Sequence, residues 1–90
     1  MQLGVLVVDD EEGIRRSLSR ILRDEGYSVD GARDGEEALT LFKARHMGYD
    51  IVICDLIMPG IDGIRTIEEI GRLGYAKTTS ILTRYGTLED

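Results

Sequence analysis

The chain has no tryptophan, one proline, one cysteine and one histidine among 90 residues. Each scarcity narrows what it can be. A single thiol, Cys54, cannot close an internal disulfide, so a reducing compartment, the cytoplasm, is the expected home. Cys54 lies inside an apolar run and is expected to be buried, as free cysteines commonly are. The one histidine, His46, lies at a predicted helix end, where a favourable contact with the helix dipole is expected rather than a role as phosphodonor. The longest apolar run falls far short of the roughly 20 residues that span a bilayer, and no basic-then-apolar leader follows Met1, so neither membrane association nor export is expected. Basic charge is also short: 11 Lys and Arg face 17 Asp and Glu, a net charge of −6. Neutralising phosphates needs a basic face, so a nucleic-acid footprint is not expected of this domain.

What remains is a globular composition, 42% hydrophobic and 31% charged. Ninety residues without linker or repeat fit one small domain over 1–90. "LGVLVV" (3–8) reads as a strand buried on both faces, "YSVDGA" (27–32) as a weaker strand, "DIVICD" (50–55) as the strongest, and "SILT" (80–83) as the last. Between them the period changes. In residues 13–26, Ile14, Leu18, Ile21 and Leu22 form a stripe about 100° wide, with Arg16, Arg20 and Arg23 opposite and Gly26 at the C-terminal cap. In 34–46, Asp34 and Glu37 have capping-box spacing, and Ala38, Leu39, Leu41 and Phe42 supply the inward face. In 63–74, Ile64, Ile67 and Ile70 share one side, and a further helix is expected to begin at 86–90, capped by Thr87. The order βαβαβαβ predicts an α/β fold with a parallel sheet between helices.

Ligands of open parallel sheets gather outside the carboxyl ends of the strands. There the first strand ends in Asp9 and Asp10, the third in Asp55 and the fourth in Thr83. If the first and third strands are neighbours, three carboxylates share one rim with a hydroxyl nearby. Crowded carboxylates raise one another's pKa. A hard divalent cation relieves the repulsion, and Mg²⁺ combines one or two carboxylates with water and phosphate oxygens. The pattern therefore points to a Mg²⁺ site serving a phosphoryl group. A Mg²⁺-dependent phosphohydrolase with an aspartyl nucleophile fits less well, because it would want that nucleophile on the first strand with a second acid two residues later.

"VLVVDDEEGIRRSL", "DIVICDLIMPGIDG" and "ILTRYG" resemble, in order and spacing, three signatures of the receiver domains of bacterial two-component response regulators. The resemblance implies a flavodoxin-like sheet in the order 2-1-3-4, lacking the family's fifth strand and fifth helix within these 90 residues. It implies that Asp55 is the phosphoacceptor, served by a histidine kinase. It also implies that Asp9, Asp10, Asp55 and the backbone carbonyl of Ile57 hold Mg²⁺, and that Pro59 and Gly63 shape the loop. Thr83, Arg84 and Tyr85 would form the switch segment, with Arg84 where a small residue is usual. The lysine that the family keeps at the end of its fifth strand is missing. The implied role is a signalling module rather than an enzyme. The alternative is a receiver-derived oligomerising module impaired in phosphotransfer.

Parallel crossovers are right-handed. With that strand order the first helix lies alone on one face and the other two cover the opposite face. A bare patch of roughly 500 Å² at ~25 cal/mol per Å² would forfeit about 12 kcal/mol. Self-association through the uncovered face or the fourth-strand edge is therefore expected.

Overall fold

A computed structural model describes residues 2–45, 49–56, 58, 60, 62–73 and 79–83. The elements are β1 (Gly4–Val8), α1 (Glu12–Asp24), β2 (Ser28–Ala32), α2 (Gly35–Ala44), β3 (Ile51–Asp55), α3 (Gly63–Arg72) and β4 (Thr79–Thr83). All strand pairs are parallel and the order is β2-β1-β3-β4, as the sequence and the family resemblance predict. Residues 84–90, where a further helix was expected, lie outside the described residues, as does His46.

Alternation along the central strands divides the core in two. Leu6 and Val8 of β1 and Val52 and Cys54 of β3 join Ala38, Phe42 and Ile70 on the side of α2 and α3. Val5, Val7 and Val29 face the other way, packed by Leu18 and Leu22 of α1 and by Ile51 and Ile53. One residue's slip in β1 would exchange the two sets. The right-handed crossovers thus distribute the helices as expected, α1 on one face and α2 with α3 on the other.

Two helices sit differently from their sequence patterns. Ile21 and Ile64, expected to face inward, are 59% and 51% exposed. For α1 the reason is a roll toward β2. Leu18 and Leu22 pack as expected, but Ser19 is buried and Ile21 is left out. At 100° per residue this rotates the buried stripe by roughly 60° toward the arginines. Among the described residues α1 contacts β1 and β2 and leaves the same face of β3 and β4 to itself. In α3, Thr66 and Ile70 take the buried line that Ile64 was expected to share.

The ends of the helices follow local chemistry. Gly26, at φ +100°, closes α1. Gly26 N–H donates to the Arg23 carbonyl at 3.0 Å and Tyr27 N–H to that of Leu22 at 3.1 Å, a Schellman ending. Asp34 caps α2 by accepting from Glu37 N–H at 2.8 Å. The expected return bond is displaced by one residue: the Glu37 carboxylate accepts from Arg33 N–H at 2.8 Å, not from Asp34. Asp62 caps α3, its Oδ1 accepting from Arg65 N–H at 2.8 Å.

Candidate functional site

The carboxyl ends of β1 and β3 are neighbours because β1 lies beside β3 in the sheet. That adjacency brings Asp9, Asp10 and Asp55 together, one oxygen from each lying within 4.8 Å of the others. Asp9 and Asp55 are buried, at 3% and 4% exposure, and Asp10 faces solvent. Thr83 is the partner of Asp55 across the β3–β4 pair and stands at the same rim.

Asp9 is fixed from several sides. Its N–H donates to the Ala32 carbonyl at 3.0 Å. Its Oδ1 accepts from Glu11 N–H at 2.9 Å, so the chain turns into α1 around this side chain. Its carbonyl accepts from Arg15 Nη1 at 2.9 Å. Burial raises the Asp9 pKa above the ordinary carboxylate range; the Glu11 N–H opposes the rise, and the charges of Asp55, Asp10 and Glu11 add to it. Burial, with the charges of Asp55, Asp9 and Asp62, pushes the nearby Cys54 thiol up to about 12. Cys54 is thus an inert core residue that reports a negative local potential.

The turn after Asp55 is closed by backbone bonds. Leu56 N–H donates to the Thr83 carbonyl at 2.7 Å, and Gly63 N–H donates to the Leu56 carbonyl at 3.1 Å. Gly63 is required here. A Cβ at this position would overlap the Asp55 carbonyl oxygen and come within 2.8 Å of the Leu56 Cα. Ile57, Pro59, Arg84 and Tyr85 lie outside the described residues. The Arg15 bond to Asp9 and the Asp62 cap were missed in the sequence. An Asp directly before an apolar-periodic helix was a readable signal for Asp62; Arg15 left none, because its contact depends on the roll of α1.

The donor set suits a hard divalent ion. All three candidate donors are carboxylate oxygens, two of them buried and one open to water. Oxygens shared by one Mg²⁺ sit up to about 4.2 Å apart, given bonds of ~2.1 Å. Three oxygens of one octahedral shell include at least two adjacent pairs about 3.0 Å apart, so a set lying within 4.8 Å of one another would close in, or place one carboxylate behind a water, to share the ion.

A parallel sheet in the order β2-β1-β3-β4 with buried acids at its carboxyl rim is a flavodoxin-like arrangement. The sequence profile of the response regulator receiver domain matches residues 5–90, and the chain belongs to that family. It is 39% identical over 90 residues to the response regulator MprA of Mycolicibacterium vanbaalenii, covering all of this chain and 38% of that protein. It is 46% identical over 66 residues to the transcriptional regulatory protein ResD of Bacillus subtilis, covering 73% of this chain and 27% of that protein. The response regulator TrrA of Thermotoga maritima, solved in complex with Mg²⁺-BeF, superposes with a TM-score of 0.84 at 41% identity, covering 97% of this chain and 72% of that one. The chain therefore spans well under half the length of the curated relatives it matches. Among the described residues, no helix is long and apolar enough to cross a membrane.

Proposed function

We propose that the chain is a phosphoacceptor module of a two-component phosphorelay, in which Asp55 receives a phosphoryl group from a histidine kinase in a Mg²⁺-dependent step. The observation that carries this reading is the convergence of Asp9, Asp10 and Asp55 at one rim in a member of the receiver family. Asp9, Asp10 and Asp55, with the carbonyl of Ile57, would hold the ion. Bound Mg²⁺ supplies neutralisation of acid and phosphoryl charge at the moment of transfer. An Asp55 carboxylate oxygen forms the new P–O bond while the donor's P–N bond breaks and leaves its electron pair on the imidazole nitrogen. Burial of Asp55 within the rim fixes its direction of approach. Thr83, in register with Asp55, offers its hydroxyl to the phosphorylated state, and Arg84 and Tyr85 continue that switch segment. Pro59 and Gly63 would shape the loop beside the acceptor. The module acts in the cytoplasm, without binding nucleic acid itself, and is a substrate of the relay rather than an enzyme.

The test is uptake of a phosphoryl group from acetyl phosphate, or of beryllofluoride, in the presence of Mg²⁺. One equivalent bound by the native chain and none by Asp55→Asn is expected. Absence of uptake by the native chain, or equal uptake by the variant, contradicts the reading.

A second reading concerns assembly and rests on the open face. Ile81 is 44% exposed beside half-buried Ile51 and Ile53, and Ile14, Leu18 and Ile21 line a shallow groove of about 460 Å³ on α1. A second copy laid over this apolar strip would make the module a homo-oligomer. Sedimentation at micromolar concentration tests it: a concentration-dependent dimer supports assembly, and a compact monomer contradicts it.

A further inference from the structure

The groove between α1 and the outer edge of β2 carries a concentration of positive charge that the acidic rim does not use. It encloses about 610 Å³ and is lined by Arg15, Arg16, Arg20, Arg23, Asp24 and Gly31 among others. Four of the chain's 11 basic residues thus meet in one place on a molecule of net charge −6. Asp24 in the same lining and Glu12 beside it offset part of that charge, and the arginines remain in excess. Arg16 pairs with Glu12 at 3.2 Å, both side chains being exposed. Arg15 and Arg23 each donate to a backbone carbonyl, of Asp9 and Val29, both at 2.9 Å; these bonds orient the guanidiniums without cancelling them. Arg20 has no bonded partner among the described residues.

The groove is shaped by glycine. Gly31 leaves room for the Arg15 stem, whose Cδ would stand 3.3 Å from a Cβ at that position. β2 is an edge strand. Ser28 N–H and the Ala32 carbonyl bond toward β1, so the alternation of a parallel ladder turns the backbone of Val29 and Gly31 outward, along the groove wall, where the Val29 carbonyl accepts from Arg23 and the two N–H groups face the groove.

We propose that this groove docks an extended acidic segment of a partner protein, its carboxylates pairing with Arg16, Arg20 and Arg23 and its backbone running beside β2. Arg16, Arg20 and Arg23 are spread along α1 rather than grouped at one turn. Arg16 to Arg23 covers roughly 10 Å of helix at 1.5 Å per residue, the length of about three extended residues. A single phosphate would need them aimed at one point. The lining contains no aromatic side chain, so it offers no platform for stacked bases. Strand edges recognise peptides through main-chain bonds, and the charge supplies direction and partner choice.

The experiment is fluorescence anisotropy of a labelled heptapeptide alternating glutamate and valine, titrated with the full chain at low salt. Saturable binding is expected, absent when lysine replaces glutamate and weakening as salt rises. The variant Arg16→Glu/Arg20→Glu, at exposed positions free of backbone bonds, is expected to lose affinity by about tenfold or more. Arg20→Gln gives a smaller loss in the same direction. Amides of Val29 and Gly31 should gain hydrogen-exchange protection on binding. Unchanged affinity in the charge-reversed variant, or no saturable binding, overturns the site. Tighter binding of inorganic polyphosphate or a single-stranded oligonucleotide overturns the peptide as its occupant.

Discussion

The two ends of the sheet treat charge in opposite ways. At the carboxyl rim, Asp9, Asp10 and Asp55 crowd together, and burial and mutual repulsion hold Asp9 above its ordinary pKa. Toward the other end, charges meet partners. Tyr49 donates to Asp30 at 2.6 Å, Arg45 approaches Asp30 at 3.5 Å, and the Arg45 guanidinium lies 4.6 Å from the Tyr49 ring centroid. Asp50 accepts from Gly4 N–H at 2.7 Å, tying the start of β3 to the start of β1. One end ties the fold together through paired groups, and at the other like charges are crowded. The difference teaches that local instability can mark a site as clearly as a motif does.

The contrast can be broken from either end. The largest effect is expected from Asp55→Asn, which should abolish phosphoryl uptake from acetyl phosphate and leave the fold intact by circular dichroism. Gly63→Ala comes next. Its methyl would press on the Asp55 carbonyl and the Leu56 backbone, costing about 3 kcal/mol in urea denaturation, the upper range for overpacking, and lowering Mg²⁺ affinity as well. At the clasp, Tyr49→Phe should cost about 1.5 kcal/mol, the worth of a hydrogen bond to a charged acceptor, with no effect at the rim.

The pH dependence of the two ends should also differ. Burial, and then the hydrogen bond and charge of Asp30, raise Tyr49 from its ordinary 10 to about 12. Stability from this group is therefore complete below about pH 10 and lost as pH rises through about 12. Comparison with Tyr49→Phe in alkaline melts checks it. For Asp9 the folded pKa is likewise raised, so its favourable contribution is present below the ordinary carboxylate range and lost as pH climbs through the raised value. Above that raised value the charged form weakens the metal-free fold. The smallest of these effects, with the opposite sign, follows: Asp9→Asn should stabilise the metal-free chain by about 1 kcal/mol while weakening Mg²⁺ binding. A thermal melt with and without Mg²⁺ reads both.

The rim was legible in the sequence because each acid ends a strand, and strand ends are visible where an apolar run stops. The element order was legible for the same reason, through changes of period. Strand order and handedness together placed the helices. The clasp was not legible: Asp30, Arg45 and Tyr49 come from three segments, and nothing in their spacing announces a contact. The inward faces of α1 and α3 were only partly legible. Periodicity shows that Ile14, Leu18, Ile21 and Leu22 are neighbours on a helix, but the roll that buries Ser19 and exposes Ile21 is set by which strands lie beneath. Periodicity puts Arg23 on the solvent side and says nothing of Arg15; the roll brings Arg23 to the Val29 carbonyl of β2 and the Arg15 stem beside Gly31, with its guanidinium on the Asp9 carbonyl.

The most direct measurement is a calorimetric titration of Mg²⁺ into the native chain, Asp9→Asn and Asp55→Asn at neutral pH. One saturable site in the native chain, weakened at least about tenfold by either substitution, is the predicted result. No heat from the native chain, or equal binding by all three, would contradict a metal-assisted phosphoacceptor at this rim.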